Sequence, residues 1–232
     1  MPVQIHPSSP ARVSDTTRTD GSTQTASFTP PFGSLLVAAV HYNTQSAEGS
    51  NPTITMSASP STAWTPRAIP PFTSGFGYVA LFTAPAASSA PTTVTATSNR
   101  LYTISLKVYV VTGHHPATPI AATGTGNIYN NPATFPGYTS TRRNSLGLLA
   151  ATDWDNLGPA TSADVLESAA VNGGASGGSI SVLTAYKAAS TPTPGTAVTF
   201  TADSPGTIPA PWTWAAIEIL PAPYRGWGIP IL

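Results

Sequence analysis

Between residues 101 and 111 the chain alternates with a period of two. Ile104, Leu106, Val108 and Val110 fall on one face of an extended segment, and Thr103, Ser105, Lys107 and Tyr109 on the other. Thr53-Ile54-Thr55-Met56 repeats the pattern over a shorter span. Residues 34–42 are instead apolar at most positions, carry β-branched valines, and are bounded by Gly33 and Asn43. Such a run is too short for a long helix and predicts a buried strand. Further strands are predicted around Trp64 and over residues 75–83, 92–97, 145–152, 179–187, 197–202 and 212–219. Residues 163–171 fit a helical stripe through Val165, Leu166 and Ala169 as well as a strand, and are read as a strand.

The strands come in two similar series. Leu36-Val37-Ala38-Ala39-Val40-His41-Tyr42-Asn43 finds a counterpart 112 positions later (148 − 36) in Leu148-Leu149-Ala150-Ala151-Thr152-Asp153-Trp154-Asp155. The three runs that follow in each half keep the same order and similar spacing. Many short strands, turn residues between them and no long helix indicate packed antiparallel sheets. The expected fold is an all-β, antiparallel, jelly-roll-like β-sandwich with internal pseudo-duplication. Its body spans residues 26–221, with halves at about 26–113 and 144–221 sharing one core; two separate sandwiches of about 100 residues each satisfy the same pattern. Residues 1–25 are polar and predict an arm without a core face of its own. Residues 112–143 are rich in Gly, Pro, Asn and Thr and predict a long connection with at most a short strand at 120–123. After Pro221-Ala222-Pro223, residues 222–232 form an apolar tail.

Composition narrows the function classes. Charged residues make up 8% of 232, with nine basic side chains against nine acidic ones. A phosphate-tracking surface needs clustered Lys and Arg, so nucleic acid is not an expected partner; Arg142-Arg143 reads as a solvated doublet or an interface contact. No cysteine is present, which excludes disulfides and thiolate metal sites. Residues 1–7 lack the charged start and apolar core of a signal peptide, and no apolar run approaches the roughly 20 residues that span a bilayer. Folding in the cytoplasm of the producing cell, without membrane insertion, is expected. The 25 prolines and 19 glycines lie between hydrophobic runs and punctuate strands.

Candidate chemistry is sparse. Gly174-Ala175-Ser176-Gly177-Gly178 matches a nucleophile elbow, but a strand follows it where a helix is required, so it reads as a turn. Asp153-Trp154-Asp155-Asn156-Leu157-Gly158 resembles the opening of a calcium loop; Leu157 takes the place of an oxygen ligand and Asp164 stands where the bidentate glutamate belongs. Calcium at Asp153 and Asp155 stays open on that pattern. His114 and His115 point to opposite faces if extended and show no third ligand, and His6 and His41 are not spaced to join them. No metal or cofactor is therefore expected. Asp164 with Glu167, or Asp153 with Asp155, are the available acid pairs for a glycosidase, which needs two carboxyls about 5–10 Å apart across a cleft. Trp212 and Trp214 share one face of the final strand and either fill the core or, facing solvent, stack on sugars. In the tail, Tyr224, Arg225, Trp227, Ile229, Ile231 and Leu232 present apolar surface that is costly to leave in water, so docking on the same domain or a neighbouring subunit is expected.

Pro31-Phe32-Gly33-Ser34-Leu35-Leu36-Val37-Ala38-Ala39-Val40, Gly77-Tyr78-Val79-Ala80-Leu81-Phe82, Thr93-Val94-Thr95-Ala96, Val108-Tyr109-Val110-Val111-Thr112-Gly113 and Trp214-Ala215-Ala216-Ile217-Glu218-Ile219 together resemble the β-sandwich virion proteins of phages infecting actinobacteria, commonly labelled minor tail or decoration proteins. The resemblance covers residues 26–221 and carries no catalytic signature. It implies a non-enzymatic virion subunit, assembled in the host cytoplasm and homo-oligomeric, that contacts other virion proteins and the host surface. A carbohydrate-binding module recognising host surface glycans is the alternative, and a polysaccharide-cleaving enzyme on the same scaffold a third reading.

Overall fold

The computed structural model describes residues 2–16, 21–43, 49–153, 158–161, 164–172, 179–187, 193–203 and 211–223, and every regular element in them is a β-strand. The first nine are β1 (Gln4–Ile5), β2 (Val13–Asp15), β3 (Ser22–Gln24), β4 (Leu35–Tyr42), β5 (Ile54–Ser59), β6 (Thr65–Ala68), β7 (Tyr78–Pro85), β8 (Thr93–Ser98) and β9 (Ile104–Thr112). They form a large antiparallel sheet in which β9, with β1 and β2 on its outer edge, is followed by β4, β7 and β6, and a small sheet in the order β3-β8-β5. The pairs nest: β2 with β9, β3 with β8, β4 with β7. That is a rolled-up antiparallel ribbon, the winding of a jelly roll.

The second series is β10 (Ile120–Tyr129), β11 (Ala133–Thr139), β12 (Leu146–Asp153), β13 (Val165–Asn172), β14 (Ser179–Lys187), β15 (Ala197–Ala202) and β16 (Pro211–Ile219). Its large sheet runs β10-β16-β12-β14-β13 and its small sheet pairs β11 with β15. The nesting recurs, β10 with β16, β11 with β15 and β12 with β14. Even an irregularity is repeated, because β6 is bulged between Pro66 and Ala68 and β13 between Val165 and Glu167.

Each jelly roll encloses its own core. Leu36, Ala38, Val40 and Tyr42 of β4 meet Val94 and Ala96 of β8 in the first, and Leu149 and Ala151 of β12 meet Val198 and Phe200 of β15 in the second. The opposite faces of the two large sheets then pack on one another. Leu35, Val37, Ala39, Val79 and Leu81 meet Leu146, Leu148, Ala150, Ala215 and Ile217 in a third core between the units. Leucines and valines share this layer with Ala39, Ala150 and Ala215, and the small side chains let the two sheet faces approach closely. Two sandwiches thus lie back to back in four sheet layers, each with a core of its own and with a further core shared between the halves. Strands buried on both faces explain why β4, β7, β12 and β16 are apolar almost throughout.

The faces correct the alignment of the halves. Leu35 pairs with Val111 and Leu146 with Ile219, so the equivalent offset is 111 (146 − 35). At an offset of 112, Leu36 and Leu148 would match, yet Leu36 faces its own small sheet and Leu148 faces the other unit. The preceding turn agrees: Gly33 and Asn144 both take positive φ, 72° and 61°, and the hydroxyls of Ser34 and Ser145 donate to the carbonyls of Pro31 and Arg142 at 2.6 and 2.9 Å. A left-handed residue is what Gly, and after it Asn, supplies at least cost.

Two boundaries shift as well. The polar segment 1–25 is largely absorbed into the sheets: β1 and β2 pair with β9, β3 pairs with β8, and Val3 is buried in the core between the units. The connection shrinks from 112–143 to residues 113–119, because β10 and β11 occupy most of that stretch. The second unit therefore starts near residue 120.

Candidate functional site

The seam between the large sheets holds an ion-paired cluster on one flank and a cavity on the other. Its two flanks are related by the duplication but differ in chemistry. On one flank β6 and β7 pack against β10 and β16, and the equivalent positions on the other flank belong to β13, β14 and β9. Where the first flank places Ala68 opposite Leu81, the second places Glu167 opposite Thr184. Where β16 carries Ala215 and Ile217, β9 carries Lys107 and Tyr109. The duplicated frame therefore has one apolar flank and one polar flank.

On the polar flank Arg12 donates from Nε to Glu167 Oε1 at 3.0 Å, and Lys107 Nζ lies 2.7 Å from Glu167 Oε2. Their side chains are 7%, 12% and 25% exposed for Arg12, Lys107 and Glu167. Arg12 Nη1 also donates to Ser105 Oγ at 3.3 Å, Lys107 lies over the Tyr109 ring, and the Tyr109 and Thr184 hydroxyls are hydrogen-bonded. Burial pushes the Tyr109 phenol above its ordinary value, so it stays protonated. Close by, the fully buried His41 pairs Nδ1 with Thr152 Oγ1 at 2.9 Å. Burial first, and the Arg12 charge second, hold its imidazole well below the usual histidine range. These contacts tie the segment before β2, strand β9 and strand β4 to the second unit. Glu167→Gln leaves two mostly buried cations without their counter-charge and is expected to lower stability by about 2 kcal/mol, less than for a fully enclosed pair because the carboxylate keeps some solvent. A shift in the urea midpoint checks it, and an unchanged midpoint would contradict the linking role given to this cluster.

The apolar flank opens instead into a cavity of about 200 Å³ lined by Leu35, Thr65, Arg67, Thr83, Ala84, Pro85, His114, Pro116 and Pro119. Arg67 Nε donates to Thr83 Oγ1 at 2.7 Å. His114 is held below the ordinary histidine value by burial, against the opposing effect of a hydrogen bond to the Val111 backbone.

A fully buried carboxylate lies at the end of the second sandwich. Glu218 is fully enclosed and accepts from Ser140 Oγ at 3.1 Å, Thr141 N at 3.0 Å, Thr141 Oγ1 at 2.6 Å, Arg142 N at 3.2 Å and Ser145 Oγ at 2.8 Å. Burial alone would raise its pKa, but the donors prevail and hold it below the ordinary value. It clasps the β11–β12 turn.

The residues singled out in the sequence fall as follows. Trp212 and Trp214 are 0% and 5% exposed and pack edge-on and tilted against Phe135, so they fill the second core and offer no solvent-facing platform for sugars. Tyr224, Arg225, Trp227, Ile229, Ile231 and Leu232 lie outside the described residues, as do Trp154, Asp155 and the stretch 173–178. Asp153 is buried at the end of β12. Asp164 is bound by Lys187 and Glu167 by Arg12 and Lys107, so that acid pair is engaged by cations. His114 joins the cavity, while His115 Nδ1 accepts from the Thr118 backbone at 3.0 Å. Among the described residues no group of three or more His, Asp or Glu side chains could hold a metal ion, and no helix is long and apolar enough to cross a membrane.

Fold and seam together define an all-β protein of two tandem jelly rolls joined through their large sheets. Compared with protein-family models, curated proteins and solved structures, the chain matches none.

Proposed function

We propose that the chain is a structural subunit of a bacteriophage particle, a minor tail or capsid-decoration protein, acting through contacts with copies of itself and with other virion proteins and without a catalytic role. The observation that carries this reading is the pair of jelly rolls fixed back to back by a common core. Jelly rolls also serve lectins and cupins, so the fold alone does not choose among them. Two further features favour the particle. The likeness of the β4, β7, β8, β9 and β16 segments to actinobacterial virion proteins points there. So does the engagement of Glu218, Glu167 and Asp164 in structural contacts, where a hydrolase needs an acid and a base facing its substrate. The exterior strand faces are hydroxyl-rich, as with Thr55, Ser57 and Ser59 of β5, which suits many polar contacts between subunits.

In particles made by a phage carrying this gene, mass spectrometry is expected to find the protein as a multicopy component. A variant ending at Pro223, which lacks the apolar segment 224–232, is expected to fold yet be lost from particles. Absence of the full chain from purified particles would overturn the reading, and normal incorporation of the shortened chain would remove the role assigned to that segment.

A further inference from the structure

The cavity on the apolar flank has a feature that its surroundings do not satisfy. Arg67 stands on the bulge of β6, half-buried, and its hydrogen-bond partner among the described residues is the neutral hydroxyl of Thr83. Other cations along the large sheets have carboxylates: Arg12 and Lys107 share Glu167, and Lys187 has Asp164. Among the described residues no carboxylate comes within ion-pair distance of Arg67. The position next to it is Ala68, the equivalent of Glu167 in the second unit. The duplicated frame thus supplies its own carboxylate on one flank and leaves a guanidinium beside open space on the other.

A partly desolvated guanidinium gains most from an anion, and its planar fork matches a carboxylate with two parallel hydrogen bonds. With Nε committed to Thr83, the two terminal nitrogens have no hydrogen-bond partner among the described residues. The remaining lining sets the shape of the guest. Leu35, Ala84, Pro85, Pro116 and Pro119 are apolar, and Thr65 adds a hydroxyl. A volume of about 200 Å³ is below the usual range of drug-sized pockets, which start near 300 Å³. We propose that this cavity binds a small carboxylate with a compact apolar body, the carboxylate on Arg67 and the body against the prolines of the connection and of β7. The site is formed only where the connection crosses the first unit, so its occupation would also brace the junction of the two jelly rolls. The inference does not depend on the virion role.

The test uses the full chain titrated with benzoate, acetate and inorganic phosphate, followed by calorimetry and by NMR of the Arg67 Nε–H and the Thr65 and Ala84 amides. Benzoate is expected to saturate in the millimolar range, acetate to bind more weakly for want of an apolar body, and phosphate more weakly still for want of a planar carboxylate. Arg67→Met keeps an apolar stem of similar length and is expected to weaken benzoate at least ten-fold while leaving the unfolding midpoint close to that of the parent. Absence of saturation by about 50 mM, beyond the range of the weakest specific ligands, would overturn the proposal. Undiminished binding to Arg67→Met would overturn it equally. Should that variant fail to fold, the parent decides alone: shifts centred on Arg67, Thr65 and Ala84 support the site, and shifts centred elsewhere refute it.

Discussion

Trp212→Ala is expected to destabilise the protein by about 3–5 kcal/mol, the range for emptying a large aromatic site in a packed core. Trp212 is completely enclosed, its ring meeting Phe135 edge-on at 5.8 Å and 82°. The surroundings cannot collapse into the vacated space, because β16 is hydrogen-bonded to β10 on one side and β12 on the other. Against a total stability of about 5–15 kcal/mol for an ordinary domain, such a loss is a large fraction. Because Ala215, Ile217 and Ile219 of the same strand reach the core between the units, the loss should be felt as a lower midpoint for the whole molecule in urea, followed by tryptophan fluorescence and circular dichroism together. A loss below about 1 kcal/mol would mean that Trp212 is not the core anchor described above. The same substitution tests the sugar-binding alternative from the opposite side, since a stacking platform would lose glycan affinity while keeping its stability.

Glu218→Ala should cost about 3 kcal/mol near neutral pH, as expected for removing the charged partner of several buried donors. Ser140, Thr141, Arg142 and Ser145 all point donors at this one carboxylate, and without it the two backbone N–H groups lose their acceptor. The pH dependence carries the sign. The folded-state pKa is lowered from the ordinary 4.5, so the unfolded chain takes up a proton first as the solution is acidified. The contribution of Glu218 is therefore complete above pH 4.5 or so and is lost as pH falls through the lower folded value. Urea midpoints measured between neutral and acid pH should fall less steeply below pH 5 for Glu218→Gln than for the parent. Parallel curves would show that the clasp does not depend on the carboxylate charge.

The all-β class and the duplication were legible because turn residues repeatedly interrupt short strand-like runs in the same order. The residue-level alignment was not, for a physical reason: β4 and β12 are buried on both faces, so they lack the alternation that would reveal a slip of one residue. The turn before them held the missing signal, in Gly33-Ser34-Leu35 against Asn144-Ser145-Leu146. β1, β2 and β3 escaped notice because edge strands of two or three residues are held chiefly by backbone pairing and need few apolar side chains. In β10 the glycines suggested a loop, yet they answer a need for space: a Cβ on Gly124 would stand 1.7 Å from the Gly137 carbonyl oxygen, and one on Gly126 about 3.0 Å from the Trp214 ring. The seam was the least readable part. Arg12 and Glu167 are 155 residues apart, and no spacing rule joins them. Arg67 likewise becomes informative only when Ala68 is seen in the place of Glu167.

Gly113 lies at the crossing from one jelly roll to the other, and both extremities of the described chain reach it. A Cβ there would come within 2.2 Å of the Pro2 carbonyl oxygen, and the Ala222 amide donates to the Gly113 carbonyl at 2.8 Å. Pro2 and Ala222 thus meet at a single point, the spatial closeness that circular permutation exploits. A short bridge from residue 223 to residue 2, with new ends cut between β9 and β10, would exchange the order of the two jelly rolls along the polypeptide while leaving each strand beside its present neighbours.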